Sequence, residues 1–590
     1  MDRLNPIYTE RTECQDCYKC LRECMVKAIR VVDGHAEVVP ELCILCGHCV
    51  SVCPVGAKKV REDVAKVKHV LSTKRAVYVS LAPSFVSEFS EEEQVGLFEG
   101  LDRLGFAGVS ETALGAEAVS SILAKRLSDA IHASTNDSAK KASNQQTLYL
   151  SSACPSAVEY IKKYHPSLSS YLIELSSPLM AHARLLKQLY GMDIGVVFIG
   201  PCIAKKREAD IRPELIDAAL TFLEVRNWLA AEGLSLELGG RRMNFSSPFS
   251  PPFVPRKSKD GSLYPVDGGM VRTIFHRSEA SPDLCTSLSG IREISKALGG
   301  LEMSQFEAPL FVEILACPGG CVNGPACTKK NGTLMKRNQI LSYHKKTTIR
   351  DEDPKGIDLF YRWGIEPLPK GKVTDREIRD ALSKVGKYSV EDELNCGGCG
   401  YDTCRQFAEA FVMKKAEPTM CLSYMRKLAQ KKADALLKAM PTGVVVVDEG
   451  LSIVECNRNF ARLFGKEVEE LYETKPGLEK ASLKKLVPFA DLFETVLETG
   501  VDILEKDLRY GEKILKGSIF TVERGRYVGG IFQDITLPFI QKDRIVEQAE
   551  KIIRKQLSTV QKIAYLLGEN AAESEVMLNA IIQSFGQEGR

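Results

Sequence analysis

Two runs of cysteines near the N-terminus constrain the fold of this chain more than any other feature. Cysteines at intervals of three, three and four residues occupy positions 14–24, and the same intervals recur at positions 43–53. Thiols clustered so closely are expected to be metal ligands rather than disulfide partners if the protein is cytosolic, as we expect. Zinc sites take four ligands in two pairs, so two complete runs of four favour iron-sulfur clusters over zinc.

The two runs resemble those of two-cluster bacterial ferredoxins, although Met25 stands where a proline commonly follows the fourth cysteine of the first run. In that pattern the fourth cysteine of each run binds the other cluster. The resemblance therefore implies a ferredoxin-like domain at residues 1–62 that conducts electrons. One 4Fe-4S cluster is expected on Cys14, Cys17, Cys20 and Cys53, and a second on Cys24, Cys43, Cys46 and Cys49.

Composition limits the class of protein and its surroundings. The chain has 590 residues, 19 cysteines and a net charge of +2, which gives no reason to expect a nucleic-acid partner. No apolar run reaches the ~18 residues of a membrane span, and the N-terminal segment lacks the apolar core of a signal peptide. We therefore expect a cytoplasmic protein without membrane contact, divided into several domains.

Beyond a charged link at residues 63–73, three strand-like runs each end at cysteines. They cover residues 147–151, 194–199 and 311–316, and helical patterns lie between the first two. This alternation predicts an α/β domain at residues 74–355, in which loops at the carboxyl ends of strands converge. The loops carry a four-thiolate metal site on Cys154, Cys202, Cys317 and Cys321. Gly319 and Gly320 are expected to let the backbone approach a bulky group.

These three loops resemble the cluster-binding motifs of FeFe-hydrogenases, and the similarity spans about residues 1–355. The resemblance implies an H-cluster, which is a 4Fe-4S cubane joined through one cysteine to a di-iron unit with CO and CN ligands. By position, Cys154, Cys202 and Cys317 match cubane ligands and Cys321 matches the bridging cysteine. Lys205 matches the lysine that donates a hydrogen bond to a cyanide.

Catalytic roles are accordingly expected for Lys205, Glu208 and Cys321. The alternative for Lys205 and Glu208 is the charged start of a surface helix. The chain also departs from the family near the expected di-iron unit, at three positions. Ala153 replaces a proton-relaying cysteine, Gly200 replaces a methionine of the second motif, and Leu315 replaces a methionine of the third. A methyl group carries no proton, so we expect slow turnover of dihydrogen.

A third iron-sulfur candidate lies at residues 386–425. Its four cysteines are Cys396, Cys399, Cys404 and Cys421. The glycine-rich spacing resembles a small 4Fe-4S module of electron-transfer and corrinoid proteins, and zinc is the alternative. A helical pattern follows Cys421. The predicted helix either transmits the redox state mechanically or is a passive spacer.

The C-terminal part resembles a PAS domain at residues 430–540, which has α+β architecture. It contains no histidine, because the last one in the chain is His344, and a histidine-ligated haem is therefore excluded there. Residues 541–590 form C-terminal helices, expected either as a coiled coil in a homodimer or as a helix packed on its own PAS domain. The same lack of histidine excludes a phosphoacceptor, so a separate effector protein is expected to carry the signal.

The sequence thus predicts an α/β multidomain protein, for which three functions stay open. The first is a sensory FeFe-hydrogenase that binds dihydrogen and protons with low activity. The second is a catalytic hydrogenase that exchanges electrons with a redox partner such as ferredoxin. The third is a hydrogenase-like iron-sulfur protein without the di-iron unit, similar to assembly factors.

Overall fold

A computed structural model provides the fold. It describes residues 5–135, 148–236, 252–277, 284–301, 309–328, 331–347, 356–368, 373–535 and 549–557. The chain divides into two compact units, Met1–Cys421 and Leu422–Arg590.

The first unit contains fifteen α-helices and eleven strands within the described ranges. Its helices are α1 (Lys19–Arg22), α2 (His48–Val52), α3 (Val64–Thr73), α4 (Phe85–Glu88), α5 (Glu91–Arg103), α6 (Ala113–Thr135), α7 (Pro155–Tyr164), α8 (Pro178–Tyr190), α9 (Ala204–Ile211), α10 (Phe222–Ala231), α11 (Gly269–Phe275), α12 (Ile291–Leu298), α13 (Thr333–Lys346), α14 (Asp375–Lys384) and α15 (Cys404–Val412). Its strands are β1 (Ile7–Thr9), β2 (Ile29–Val32), β3 (His35–Val38), β4 (Lys58–Val60), β5 (Val77–Leu81), β6 (Gly108–Glu111), β7 (Leu148–Leu150), β8 (Gly195–Gly200), β9 (Ala218–Thr221), β10 (Cys285–Ser289) and β11 (Leu310–Leu315).

Two parallel sheets form the centre of the first unit. One has the strand order β6-β5-β8-β9 and the other has the order β10-β11-β7. Every residue of β8 is buried, as expected for a parallel strand covered on both faces by helices. The α/β fold expected for this region is confirmed, but the three cysteine loops leave from two different sheets.

The N-terminal segment is small and is held together by short strands. Strand β1 pairs antiparallel with β4, so that Ile7 lies opposite Val60, and β2 pairs with β3 as a hairpin. The expected charged link at residues 63–73 is wrong, because α3 occupies it. Val64, Val67 and Val70 recur on one face of that helix and are buried against the first sheet.

Between residues 422 and 535, the second unit contains one antiparallel sheet and four α-helices. The helices are α16 (Leu422–Ala439), α17 (Arg458–Leu463), α18 (Lys466–Thr474) and α19 (Ala490–Thr499), and the strands are β12 (Gly443–Asp448), β13 (Ile453–Cys456), β14 (Ile503–Tyr510), β15 (Lys513–Glu523) and β16 (Tyr527–Asp534). The strand order is β13-β12-β16-β15-β14. Asn457 caps α17, because its Oδ1 accepts hydrogen bonds from the N–H groups of Phe460 and Val444, each at 2.9 Å.

Phenylalanine rings fill the interior between this sheet and its helices. Phe460, Phe464, Phe489 and Phe493 each lie 5.4–6.2 Å, centroid to centroid, from the ring of Phe532. The α+β architecture expected here is confirmed. Most of the C-terminal tail, residues 541–590, lies outside the described residues. Its described part, residues 549–557, forms a helix.

Throughout the described ranges, no helix combines the length and the apolar character needed to cross a membrane.

Candidate metal centres

Four cysteines meet at one cavity between the carboxyl ends of the two parallel sheets. Cys154 follows β7 and precedes α7, Cys202 follows β8, and Cys317 and Cys321 follow β11. All four line a cavity of about 100 Å³. The three cysteine loops therefore converge on one cavity, as inferred from the strand ends, although they come from two different sheets.

The loop from Cys317 to Cys321 is held by the surrounding backbone. Gly320 has a φ of +98°, and a Cβ built there would lie 2.4 Å from the carbonyl oxygen of Pro265. The Gly319 N–H donates to Ser289 Oγ at 3.1 Å. The close neighbour of Gly320 is thus protein backbone, and the expectation that the two glycines make room for a bulky group stays a prediction.

The electrostatics of the four thiols call for a bound cation. Burial, and to a lesser extent the neighbouring Cys154, raises the pKa of Cys202 to about 11. Burial and the neighbouring thiols hold the pKa values of Cys317 and Cys321 well above their usual range. Four thiolates can share this cavity only if positive charge compensates them. Soft sulfur ligands select zinc, copper or iron-sulfur clusters, and no carboxylate is among the described residues of the lining, so the donor set fits an iron-sulfur cluster.

Lys205 lines the same cavity from α9 and is only 7% exposed. Its Nζ donates to Ser177 Oγ at 3.2 Å and to the Glu208 carboxylate, and Ser177 Oγ also donates to Glu208. Glu208 does not line the cysteine cavity. It lies one helical turn further along α9 and lines a smaller cavity with Arg212. The two predicted charged residues are therefore buried and paired, and do not form a surface helix start.

The three positions that depart from the family motifs border the cavity or lie beside its lining. Ala153 and Leu315 line it directly. At Gly200, a Cβ would lie 2.5 Å from the ring of Phe198 and 2.7 Å from Ala82, both of which line the cavity. Phe198 thus occupies the space toward which a side chain at position 200 would point, and no sequence motif indicates this contact.

Polar groups without a recognisable sequence motif lie near the ends of β5 and β6. Ser84 lines the cavity and is fully buried, and its hydroxyl has no hydrogen-bond partner among the described residues. Thr112 also lines the cavity, and its hydroxyl contacts Ser80 Oγ at 2.7 Å, which in turn contacts His182 Nδ1 at 2.7 Å. Burial lowers the pKa of His182 to about 3, so this ring is neutral. The available signal was a fourth strand end, Ala82-Pro83-Ser84, without a cysteine.

A buried carboxyl group lies in β11 ahead of the cysteine loop. Glu313 is 1% exposed, and burial raises its pKa to about 8. The N–H of Met270 donates to Glu313 Oε1 at 3.2 Å, whereas Oε2 has no partner in the described part of the chain. Glu313 therefore carries a proton at neutral pH.

The N-terminal cysteines form two groups that cross between the runs. The thiols of Cys14, Cys17 and Cys53 raise the pKa of Cys20, and those of Cys24, Cys43 and Cys46 raise that of Cys49, in each case after burial as the larger cause. The first group therefore takes its fourth cysteine, Cys53, from the second run, and the second group takes Cys24 from the first run. Their assignment as cluster ligands stays a prediction.

The second of these groups adjoins the cavity. Cys46 lines the cavity together with the four cysteines described above. Gly47 has a φ of +73°, and a Cβ there would lie 2.4 Å from Pro325 and 2.7 Å from Ile203. The loop of the second cysteine run therefore packs directly on the loops that follow Cys202 and Cys321.

The third set of cysteines lies against the N-terminal segment. Burial raises the pKa of Cys399, and Cys421 and Cys396 raise it further, whereas Cys404 begins α15. Lys27 Nζ donates to the carbonyl oxygen of Gly400 at 2.6 Å. The segment after the first cysteine run therefore contacts the loop between Cys399 and Cys404.

Four families match separate parts of the chain. The family described as "Iron only hydrogenase large subunit, C-terminal domain" matches residues 75–325. A 4Fe-4S binding domain matches residues 36–59, an Fe-S cluster family matches residues 392–423, and a PAS domain matches residues 433–500. Iron-sulfur clusters are thus supported in the second N-terminal cysteine run, in the hydrogenase-like region and in the third set of cysteines, whereas the first run at residues 14–24 lies outside these matches.

Individual relatives are distant. NADP-reducing hydrogenase subunit HndD of Solidesulfovibrio fructosivorans is 24% identical, over 61% of this chain and 72% of its own length. The periplasmic Fe hydrogenase large subunit of Nitratidesulfovibrio vulgaris is 25% identical, over 55% of this chain and 86% of its own. The cytosolic Fe-S cluster assembly factor nar1 of Aspergillus terreus is 24% identical, over 54% of this chain and 70% of its own length.

Among solved structures, FeFe-hydrogenase HydA1 from Chlamydomonas reinhardtii is similar at 20% identity and a TM-score of 0.34, covering 48% of this chain and 88% of its own. By its family matches, the chain is an FeFe-hydrogenase-like iron-sulfur protein, with a region similar to the C-terminal domain of the iron-only hydrogenase large subunit at residues 75–325 and a PAS domain at residues 433–500.

Proposed function

We propose that this protein is a sensory FeFe-hydrogenase. It binds dihydrogen at an H-cluster, turns it over slowly, and passes its redox state through 4Fe-4S clusters and the PAS domain to a separate effector protein. The observation that supports this proposal is the methyl group of Ala153 in the lining of a cavity that keeps four cysteines and Lys205. The ligands of a hydrogen-binding centre are retained where a proton-carrying side chain is missing.

Cys154, Cys202, Cys317 and Cys321 would hold the H-cluster, which supplies the reversible splitting of dihydrogen into protons and electrons. Lys205 would hold an anionic ligand in place. An ammonium group has three N–H donors, and Ser177 and Glu208 accept two of them. The third N–H is left for the cavity, where a charge-assisted hydrogen bond is strong because the lining is mostly apolar.

Electrons would leave through the second N-terminal cluster. Cys46, which is assigned to that cluster, lines the cavity itself. The contact between Lys27 and Gly400 continues this route to the third cysteine set. We further propose that the cytoplasmic protein exchanges electrons with a partner such as ferredoxin and acts as a homodimer.

Infrared spectroscopy of protein co-produced with hydrogenase maturation enzymes tests the proposal. We expect absorption bands of CO and CN ligands that shift when dihydrogen is added. A protein with its clusters but without these bands would instead match the third function, an assembly-factor-like protein, which the similarity to nar1 favours. A turnover rate equal to that of a bulk hydrogenase would contradict the sensory role.

Replacing Ala153 by cysteine tests the missing proton relay directly. Because a positioned proton-transfer group contributes about 10²–10⁴-fold to a rate, we expect Ala153→Cys to raise hydrogen turnover at least tenfold. Ala153→Val is the matched control, since valine is close to cysteine in size but carries no exchangeable proton. Equal rates in the two variants would show that another group limits proton transfer.

A further inference from the structure

A second cluster of metal-ligand side chains lies in the first unit, outside the cysteine cavity. Asp260 begins a 3₁₀ turn at Asp260–Leu263, His276 follows α11, and His344 lies in α13. Asp260 Oδ1 is 3.1 Å from His276 Nδ1 and 3.7 Å from His344 Nε2. Two imidazoles from separate helices thus face one carboxylate oxygen.

The backbone fixes which nitrogen of His344 faces the carboxylate. His344 Nδ1 lies 3.2 Å from the carbonyl oxygen of Lys259. A carbonyl only accepts, so Nδ1 carries a hydrogen and donates it. In a neutral ring, Nε2 then directs a lone pair at Asp260, which is repulsive unless a cation lies between the two. Metal-bound histidines characteristically donate their other N–H to a carbonyl in this way.

The distances suit a small divalent ion. Zinc binds histidine nitrogen at about 2.0–2.1 Å and carboxylate oxygen at about 2.0–2.2 Å, so neighbouring ligands of a tetrahedral site lie ~3.4 Å apart. The observed separations of 3.1 and 3.7 Å fall on either side of this value, and all three ligand atoms lie within 4.8 Å of one another. Three protein ligands leave one tetrahedral position open.

The surroundings hold Asp260 in place. Thr273 Oγ1 donates to the carbonyl oxygen of Asp260 at 3.0 Å, and the Lys259 N–H donates to the buried carboxylate of Glu117 at 2.6 Å. A ligand segment anchored on both sides needs little rearrangement to bind a metal.

We propose that Asp260, His276 and His344 form a binding site for a divalent transition cation, with zinc as the preferred ion. The three residues line a surface cavity of about 950 Å³, whose lining also includes Lys125, Lys259 and Arg277. The open coordination position takes water or a small anion, because this lining is cationic. Bound zinc braces α11 and α13, and α11 follows the Pro265 segment that lines the cysteine cavity.

Calorimetry and X-ray absorption of the full-length, cluster-loaded protein test this site with Zn²⁺ alone. We expect one zinc per chain, with nitrogen and oxygen neighbours at about 2.0–2.1 Å rather than sulfur at about 2.3 Å. Substituting a ligand, in His276→Gln or His344→Gln, should weaken zinc affinity at least tenfold. His69→Gln, at an exposed histidine of α3, is the matched control and should bind zinc as the unaltered protein does.

Sulfur neighbours around the zinc would overturn the site, because they would place the ion at cysteines. Unchanged affinity in His276→Gln, or no zinc uptake at micromolar concentrations, would leave an ordinary ion pair between Asp260 and a protonated histidine. The side chain of His276 is 50% exposed, so its substitution does not threaten folding. That variant decides the question even if His344→Gln fails to retain its iron.

Discussion

The protonated carboxyl of Glu313 makes the stability of the hydrogenase domain depend on pH. Burial raises its pKa from an ordinary value of 4.5 to about 8. When folding raises the pKa of an acid, its stabilising effect on the folded state is complete below the pKa of the unfolded state. This stabilisation is lost as the pH rises from that value through the pKa of the folded state. Since each pKa unit corresponds to about 1.36 kcal/mol, the loss between pH 4.5 and 8 amounts to about 5 kcal/mol.

Glu313→Gln removes this dependence, because an amide stays neutral at every pH. The free energy of unfolding of the unaltered protein should fall relative to that of the variant by about 1.4 kcal/mol per pH unit between pH 5 and 8. Urea unfolding followed by tryptophan fluorescence measures this, since the chain has two tryptophans and both, Trp228 and Trp363, lie in the first unit. Glu99→Gln, at an exposed position of α5, is the control that should keep the original slope.

The amide of the variant places an N–H group where Oε2 now lacks a partner, which lowers stability by a constant amount at all pH values. Only the slope with pH therefore tests the reasoning. If the unaltered protein and Glu313→Gln give parallel pH profiles, Glu313 is ionised in the folded protein and burial does not raise its pKa.

Two further substitutions test how the site is held together. Gly320→Ala should lower the free energy of unfolding by about 2–5 kcal/mol, because a side chain there strains the left-handed backbone and overlaps neighbouring backbone atoms. This variant should also lose the iron of one cluster, whereas the control Gly364→Ala, at an exposed glycine, should retain it. Equal iron contents in the two variants would contradict the close packing at Gly320. Lys206→Met should lower the free energy of unfolding by about 3–5 kcal/mol, because the buried ammonium lies 3.0 Å from Asp63 and 2.8 Å from Glu224. Urea denaturation measures this, and a decrease of less than about 1 kcal/mol would show that the two carboxylates find other partners.

The sequence was sufficient to predict which cysteines lie at strand ends. Cys202 and Cys317 follow their strands by two residues, and such runs are readable from apolar patterns alone. The division into two sheets was not readable, because pairing between strands depends on contacts far apart in the chain. The partner of Gly320 was equally hidden: a positive φ is signalled by glycine itself, but the carbonyl of Pro265 lies 55 residues away in sequence.

Residues without a distinctive motif were missed for the same reason. Ser84 is an ordinary serine in sequence and becomes notable only when its buried hydroxyl is found without a partner among the described residues. The helix at residues 64–73 was hidden by its charged face, although three valines mark its buried side. The role of Cys46 at the cavity also required the packing of Gly47 against Pro325.

The crossed grouping of the N-terminal thiols has a consequence for synthesis on the ribosome. The group of Cys14, Cys17 and Cys20 is completed only by Cys53, and Cys24 waits for the second run in the same way. Because a chain emerges from its N-terminus, the second set of four is complete only when residue 49 has left the exit tunnel, and the first set only when residue 53 has left it. If these thiols bind clusters as predicted, iron delivery to either set must follow translation of Cys49, and a chain truncated between the two runs has no complete ligand set.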